Sequence, residues 1–192
     1  MTEAATYRDQ DVCIVGAGNS AGQGALFFSR YARRVTVLVR GESLSQSMSQ
    51  YLVDRIAAAP TIDVLTGVAV AGVCGTGRLE RVVIRNVDGA EERMLDAAAM
   101  FIFIGAAPRT ELIAGLIGLD EKRYVLTGPD LPRDGGRPRG WQLDRDPFLF
   151  ETCVPGIFAA GDVRSGSGKR VAVAVGEGSA AVSMVHSYLE TV

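Results

Sequence analysis

The stretch Asp11-Val12-Cys13-Ile14-Val15-Gly16-Ala17-Gly18-Asn19-Ser20-Ala21 decides the fold. Its apolar run, Val12 to Val15, stops abruptly at a glycine, the pattern of a strand entering a tight turn. Beyond the turn, Ala21, Ala25, Phe28 and Ala32 recur at spacings of 4, 3 and 4, which predicts a helix with one apolar face. The next apolar run, Val35 to Val39, has no alternation and suits a parallel strand covered on both faces; Arg40-Gly41 closes it. Ser47-Met48-Ser49-Gln50 reads as a capping box opening a second helix that ends near Ala59-Pro60.

After Pro60 the pattern changes. Ile62 to Thr66, Val68 to Val73, Leu79 to Asn86 and Glu92 to Leu95 read as short strands, broken by Gly75-Thr76-Gly77 and Asp88-Gly89. Asp-Gly suits a hairpin turn because it tolerates a positive φ. These strands form an antiparallel excursion, and the parallel sheet resumes with Met100 to Ile104, running into Gly105. Thr127 to Pro147, rich in Gly, Pro, Arg and Asp, reads as a long surface loop. Order returns with Phe148 to Glu151 and with Ile157 to Ala160, a strand ending in Gly161-Asp162. From Arg170 to Leu189, the spacing of Val171, Val175, Gly178, Val182, Val185 and Leu189 predicts a long helix.

Composition narrows the function classes. A chain of 192 residues suits one ordinary domain or two small ones. Lys and Arg number 20 against 22 Asp and Glu, with no basic block, which argues against a nucleic-acid binder. The longest apolar run, Ala97 to Ile104, is far short of the roughly 18 residues of a membrane span. The opening MTEAATYRDQ has no apolar core, so no signal peptide is expected. Cys13, Cys74 and Cys153 stand far apart, without a CxxC, and His186 is alone; no metal site and no disulfide framework are expected. The expectation is a soluble, cytoplasmic protein. Glycine is the outlier, at 23 residues, above the roughly 7% of an average protein.

Gly16-x-Gly18-x-x-Ala21 between a strand and a helix points to a dinucleotide. The first glycine permits the tight turn, the second leaves room for a pyrophosphate, and the small third residue lets helix and strand pack closely. Free N–H groups at the helix start then hold the anion. An NAD site usually places an acid at the end of the second strand. Here Arg40 stands there, with no acid before Glu42, and a guanidinium can pair with a 2′-phosphate, which favours NADP(H).

Toward the C-terminus, Gly161-Asp162 can present a carboxylate to a sugar hydroxyl. The helix start after Lys169-Arg170-Val171-Ala172 can stabilise negative charge on a ring system. A plain structural turn explains the same residues nearly as well. The nearby Ser165-Gly166-Ser167-Gly168-Lys169-Arg170 fails the phosphate-loop test, with Val163 in place of the first glycine and Arg170 in place of Ser or Thr.

Three motifs stand in order: Gly16-Ala17-Gly18-Asn19-Ser20-Ala21-Gly22, Phe103-Ile104-Gly105-Ala106-Ala107-Pro108-Arg109-Thr110 and Gly156-Ile157-Phe158-Ala159-Ala160-Gly161-Asp162. Together they resemble the thioredoxin reductase-like branch of the FAD-dependent pyridine nucleotide-disulfide oxidoreductases, over nearly the whole chain. In that family an NADPH domain is inserted into an FAD domain. The resemblance implies an α/β chain in which 1–106 is a Rossmann-like NADPH-binding domain, a parallel sheet plus the antiparallel excursion. It implies that 107–192 is the C-terminal half of an FAD-binding domain. Gly16, Gly18, Asn19, Ser20 and Ala21 would cradle the NADPH pyrophosphate and Arg40 would meet the 2′-phosphate, with Gly105 also facing cofactor. Gly161 and Asp162 would face the ribityl or phosphate region of FAD, and Arg170, Val171 and Ala172 would lie beside the flavin ring.

The sequence departs from the family in three respects. It starts almost at the NADPH strand, without the earlier FAD half; it lacks the redox CxxC; and Gly41 stands where a second basic residue often follows the first. The expected activity is hydride transfer from NADPH to FAD by a flavoenzyme fragment or subunit, with no catalytic side chain singled out. The expected partners are a second copy in a homodimer or a chain supplying the N-terminal FAD half. The alternatives are a non-catalytic NADP(H)-binding module and a truncated remnant. An incomplete FAD half is expected to expose apolar surface around Phe148, Phe150 and Ile157.

Overall fold

The computed structural model describes residues 3–89 and 91–191. The chain divides into two compact units, Met1–Gly105 and Ala106–Val192.

In the first unit the opening motif forms β1 (Asp11–Val15) and α1 (Asn19–Phe28), followed by β2 (Arg34–Leu38), α2 (Gln50–Ala57) and β3 (Ile62–Leu65). Three strands then form a separate antiparallel sheet: β4 (Val68–Cys74), β5 (Arg81–Asn86) and β6 (Glu92–Asp96). The chain returns as β7 (Ala99–Ile102), giving a parallel sheet of order β3-β2-β1-β7, so Ile62–Leu65, expected in the antiparallel excursion, instead pairs parallel with β2. The apolar runs are continuous because both faces of this sheet are covered. On β1, Val12 and Ile14 pack with Ala21, Ala25 and Phe28 of α1 and with Leu52 and Ile56 of α2. Cys13, between them, points the other way into a cluster with Leu38, Val68, Val82 and Ile84. Each such buried Val, Leu or Ile contributes about 1.5–3 kcal/mol relative to exposure.

The boundaries differ from the sequence expectation where a long-range partner intervenes. α1 ends at Phe28, so Ala32 is buried from the following turn rather than from the helix. α2 opens at Gln50 after Ser49, which makes no side-chain cap, so the expected capping box does not form. Ser47 instead donates its hydroxyl to the Ala17 carbonyl at 2.9 Å, and Asn19 Oδ1 accepts the Ser49 N–H at 2.8 Å. Asp88-Gly89 lies between β5 and β6, but Gly89 stays outside the left-handed region.

The second unit has less regular structure. Two-residue strands β8 (Arg133–Asp134) and β9 (Arg137–Pro138) form a small hairpin in the long loop, and α3 (Val171–Leu189) ends the chain. Phe148 to Glu151 and Ile157 to Ala160 are not strands. A single bridge, Glu151 to Phe158, joins them, and no further strand among the described residues pairs with either. Phe150 is buried rather than exposed, with the Arg164 guanidinium 5.2 Å from its ring centroid, whereas Ile157 is exposed. The apolar stripe of α3 also faces solvent, with Val171 84% and Val175 67% exposed.

A buried ion pair that sequence reading missed organises this unit. The Glu151 carboxylate, fully buried, receives Arg145 Nη1 at 2.7 Å and Nη2 at 2.9 Å, and the N–H groups of Phe148 and Gly156 at 2.9 Å each. Burial alone would raise its carboxyl, but these hydrogen bonds outweigh it and hold the group below the usual carboxylate range. The Arg145 guanidinium lies 4.4 Å from the ring centroid of Phe148, 5.4 Å from Trp141 and 5.6 Å from Tyr188. Among the described residues no helix is long and apolar enough to cross a membrane.

Candidate functional site

A cleft of about 1090 Å³ opens in the first unit at the C-terminal ends of β1, β2 and β7. The strand order makes this a topological switch point: from β1 the chain moves to β2 and β3 on one side and returns to β7 on the other. Open parallel sheets hold ligands at such crevices. Gly16, Gly18, Arg40 and Gly105 all line it, so four positions singled out from the sequence share one cavity.

Local chemistry explains the shape. Gly16 has φ 138°, which an L side chain rarely adopts, and a Cβ there would collide with the Phe103 carbonyl. The Gly16 N–H donates to the Leu38 carbonyl at 3.1 Å and Phe103 N–H to Val15 at 2.7 Å, which ties the turn to both neighbouring strand ends. Gly18 caps α1 without a side-chain hydrogen bond, and no acidic residue stands in the first helical turn. A Cβ at Gly18 would meet no protein atom within 4 Å, so the space beside the helix start is open. Ala21 is buried against the strand layer, while Asn19 and Ser20 are exposed, Asn19 holding the Ser49 N–H.

Among the described residues lining this cleft, Arg40 alone is charged. Glu42 is exposed and does not line it. An open helix N-terminus and one guanidinium, with no opposing carboxylate, form an environment for an anionic ligand. Val68, Ala69, Val70, Met100, Ile102 and Ile104 add an apolar wall on which a flat ring can pack. Ser43 and Gln46, which no sequence motif marks, also line the cleft, as do Ser47, read from the sequence as a helix cap, and Phe103, read as the start of the second motif. Only the fold brings the 43–47 segment beside the Gly-rich turn.

The remaining predicted positions belong to the second unit. Gly161 has φ 73° and its N–H donates to Glu177 Oε2 at 2.7 Å. Arg164 closes on the same carboxylate through Nη2 to Oε1 at 2.6 Å and Nε to Oε2 at 3.2 Å. The hydrogen bond from Arg164 is the largest influence holding the Glu177 carboxyl below its ordinary range. The turn Gly161–Val163 is thereby fixed, and the Asp162 side chain projects from it, exposed. Arg170, Val171 and Ala172 are exposed at the start of α3. The Ser167 side chain nearby is buried beside the Glu177 carboxylate. An exposed carboxylate and the start of a 19-residue helix fit one side of a polar cofactor. Lys169 is unavailable to it: its Nζ donates to the Arg164 carbonyl at 2.8 Å and lies 3.9 Å from the Tyr124 ring centroid.

Comparison with known proteins finds relatives along nearly the whole chain. A thioredoxin reductase from Streptomyces clavuligerus is 32% identical over 183 residues, covering 95% of this chain and 51% of the relative. The NADPH-dependent thioredoxin reductase 3 of Arabidopsis thaliana is 31% identical over 185 residues, covering 95% and 31% respectively. The crystal structure of a thioredoxin reductase from Streptococcus pyogenes superposes with a TM-score of 0.67 at 29% identity, covering 99% of this chain and 56% of that one. The chain spans about half the length of the first curated relatives it matches. The family model for pyridine nucleotide-disulphide oxidoreductases matches residues 2–178. The chain belongs to the pyridine nucleotide-disulphide oxidoreductase family, with thioredoxin reductases among its relatives.

Proposed function

We propose that the first unit is the NADPH-binding domain, and the second the C-terminal part of the FAD-binding domain, of a thioredoxin reductase-like oxidoreductase. The observation that carries this reading is the cleft at the switch point, floored by Gly16 and Gly18 and charged only by Arg40. The N–H groups at the start of α1 hold the pyrophosphate of NADPH, and Arg40 pairs with the 2′-phosphate. The apolar wall excludes water from the face of the bound rings.

In the second unit Asp162 faces the ribityl or phosphate region of FAD, where a ribityl hydroxyl can donate to its carboxylate, and the start of α3 lies beside its ring. FAD, when bound, supplies the hydride chemistry, and the protein contributes binding, orientation and electrostatics. A homodimer, or a chain supplying the N-terminal half of the FAD domain, completes the flavin site.

A second reading, an NADP(H)-binding module without catalysis, is favoured by one observation: every residue lining the cleft belongs to the first unit. Titration with NADPH, NADH and FAD separately tests both readings. Arg40→Glu is expected to weaken NADPH by at least tenfold, since it removes a charge-assisted pair worth about 1.5–3 kcal/mol and adds repulsion. Unchanged NADPH affinity in that variant would refute the assignment. Under the module reading, Asp162→Ala leaves no binding property altered; loss of FAD affinity in that variant selects the oxidoreductase.

A further inference from the structure

The cleft holds one cation, and its neighbour in sequence, Gly41, has no side chain to offer. A side chain at position 41 would begin only 2.9 Å from Gln46 Oε1, with Gln46 Cδ at 4.0 Å. The Gln46 carboxamide thus lies over the Gly41 α-carbon, in the space that a side chain at 41 would occupy. Ser43 stands beside it as the cap of the short turn Leu44–Gln46, and its hydroxyl makes no capping hydrogen bond to that turn. Both residues line the cleft together with Arg40.

This segment is held in place. Ser47 Oγ donates to the Ala17 carbonyl, Ser49 N–H donates to Asn19 Oδ1, and Met48 packs over Gly22 of α1. Gly67 N–H donates to the Gly41 carbonyl at 3.0 Å, which fixes the corner from the other side.

We infer that Gln46, assisted by Ser43, is a specificity-determining residue: its carboxamide N–H takes the role of a second cation toward the phosphate on the adenosine ribose. This rests on the NADPH reading of the cleft and adds to it a recognition built from one guanidinium and two neutral donors. Neutral donors gain less from a phosphate than a second charge does, and Gln46 is solvent-exposed. The parent chain therefore prefers NADPH to NADH modestly, by about tenfold.

The test is titration of the 192-residue chain and two variants with NADPH and NADH, with melting curves as a check on folding. Gln46→Ala is expected to weaken NADPH about fivefold and to leave NADH unchanged within twofold. Gly41→Lys displaces the flexible end of Gln46, supplies the second cation and is expected to raise the NADPH preference about tenfold. A folded Gln46→Ala variant with the parent's NADPH-to-NADH ratio would overturn the inference while leaving the NADPH reading intact. Failure of the parent chain to bind either nucleotide would overturn both.

Discussion

Arg145→Met removes the guanidinium that neutralises Glu151 while keeping much of the apolar stem among Trp141, Phe148 and Tyr188. The carboxylate left behind is fully buried. Losing one partner of a buried pair costs about 3–5 kcal/mol. Two of the four donors survive, the N–H groups of Phe148 and Gly156, and Arg145 itself is 23% exposed, so the lower end, about 3 kcal/mol, is expected. At a urea m-value of about 1.5 kcal/mol/M, the midpoint falls by about 2 M.

The assay is fluorescence of Trp141, the chain's single tryptophan. It is buried, with Nε1 donating to the Arg145 carbonyl at 2.6 Å, and so reports on the second unit. The pH dependence has a definite sign. In the parent, the Glu151 carboxyl is depressed when folded, so its stabilisation is present above the unfolded value and lost as pH falls through the folded value. In the variant the unpaired buried carboxyl is raised, so protonation at low pH relieves its penalty. The gap between parent and variant therefore narrows toward pH 3. A midpoint shift under about 0.3 M, or a gap that widens in acid, would refute this account of the pair.

Two further outcomes are expected. Gly16→Ala places a side chain at φ 138° against the Phe103 carbonyl; a loss of about 1–3 kcal/mol from backbone strain is a minimum, read as a lower melting temperature together with lost nucleotide binding. Cys13, buried in the sheet and with its thiol pushed up to about 11 by burial and by Asp11, should resist a thiol reagent at pH 8 until the first unit unfolds; reaction in the native state would contradict the packing of β1.

The parts legible in the sequence are those whose cause is local. The spacing of Gly16, Gly18 and Ala21 reflects the backbone needs of one turn, and the unbroken run Val35 to Val39 reflects a strand covered on both faces. The spacing along α3 identified a helix because periodicity survives whichever face is covered. The misread parts depend on partners far along the chain. Ser47 resembles a cap, but its hydroxyl finds a carbonyl 30 residues away. Phe148 to Glu151 looks like a strand, yet its acid is the centre of a buried ion pair with an arginine from a loop that has no periodicity of its own. Ser43 and Gln46 carry no motif, and only the fold seats them beside the Gly-rich turn.

The cleft at the ends of β1, β2 and β7 is proposed to hold NADPH. Residue-resolved amide hydrogen exchange of the chain with and without saturating NADPH tests it most directly. Slower exchange is expected at Gly18 to Ala21 and around Arg40 to Ser47, lost in Arg40→Glu at the same nucleotide concentration. Binding that leaves those amides unchanged and protects others would contradict it.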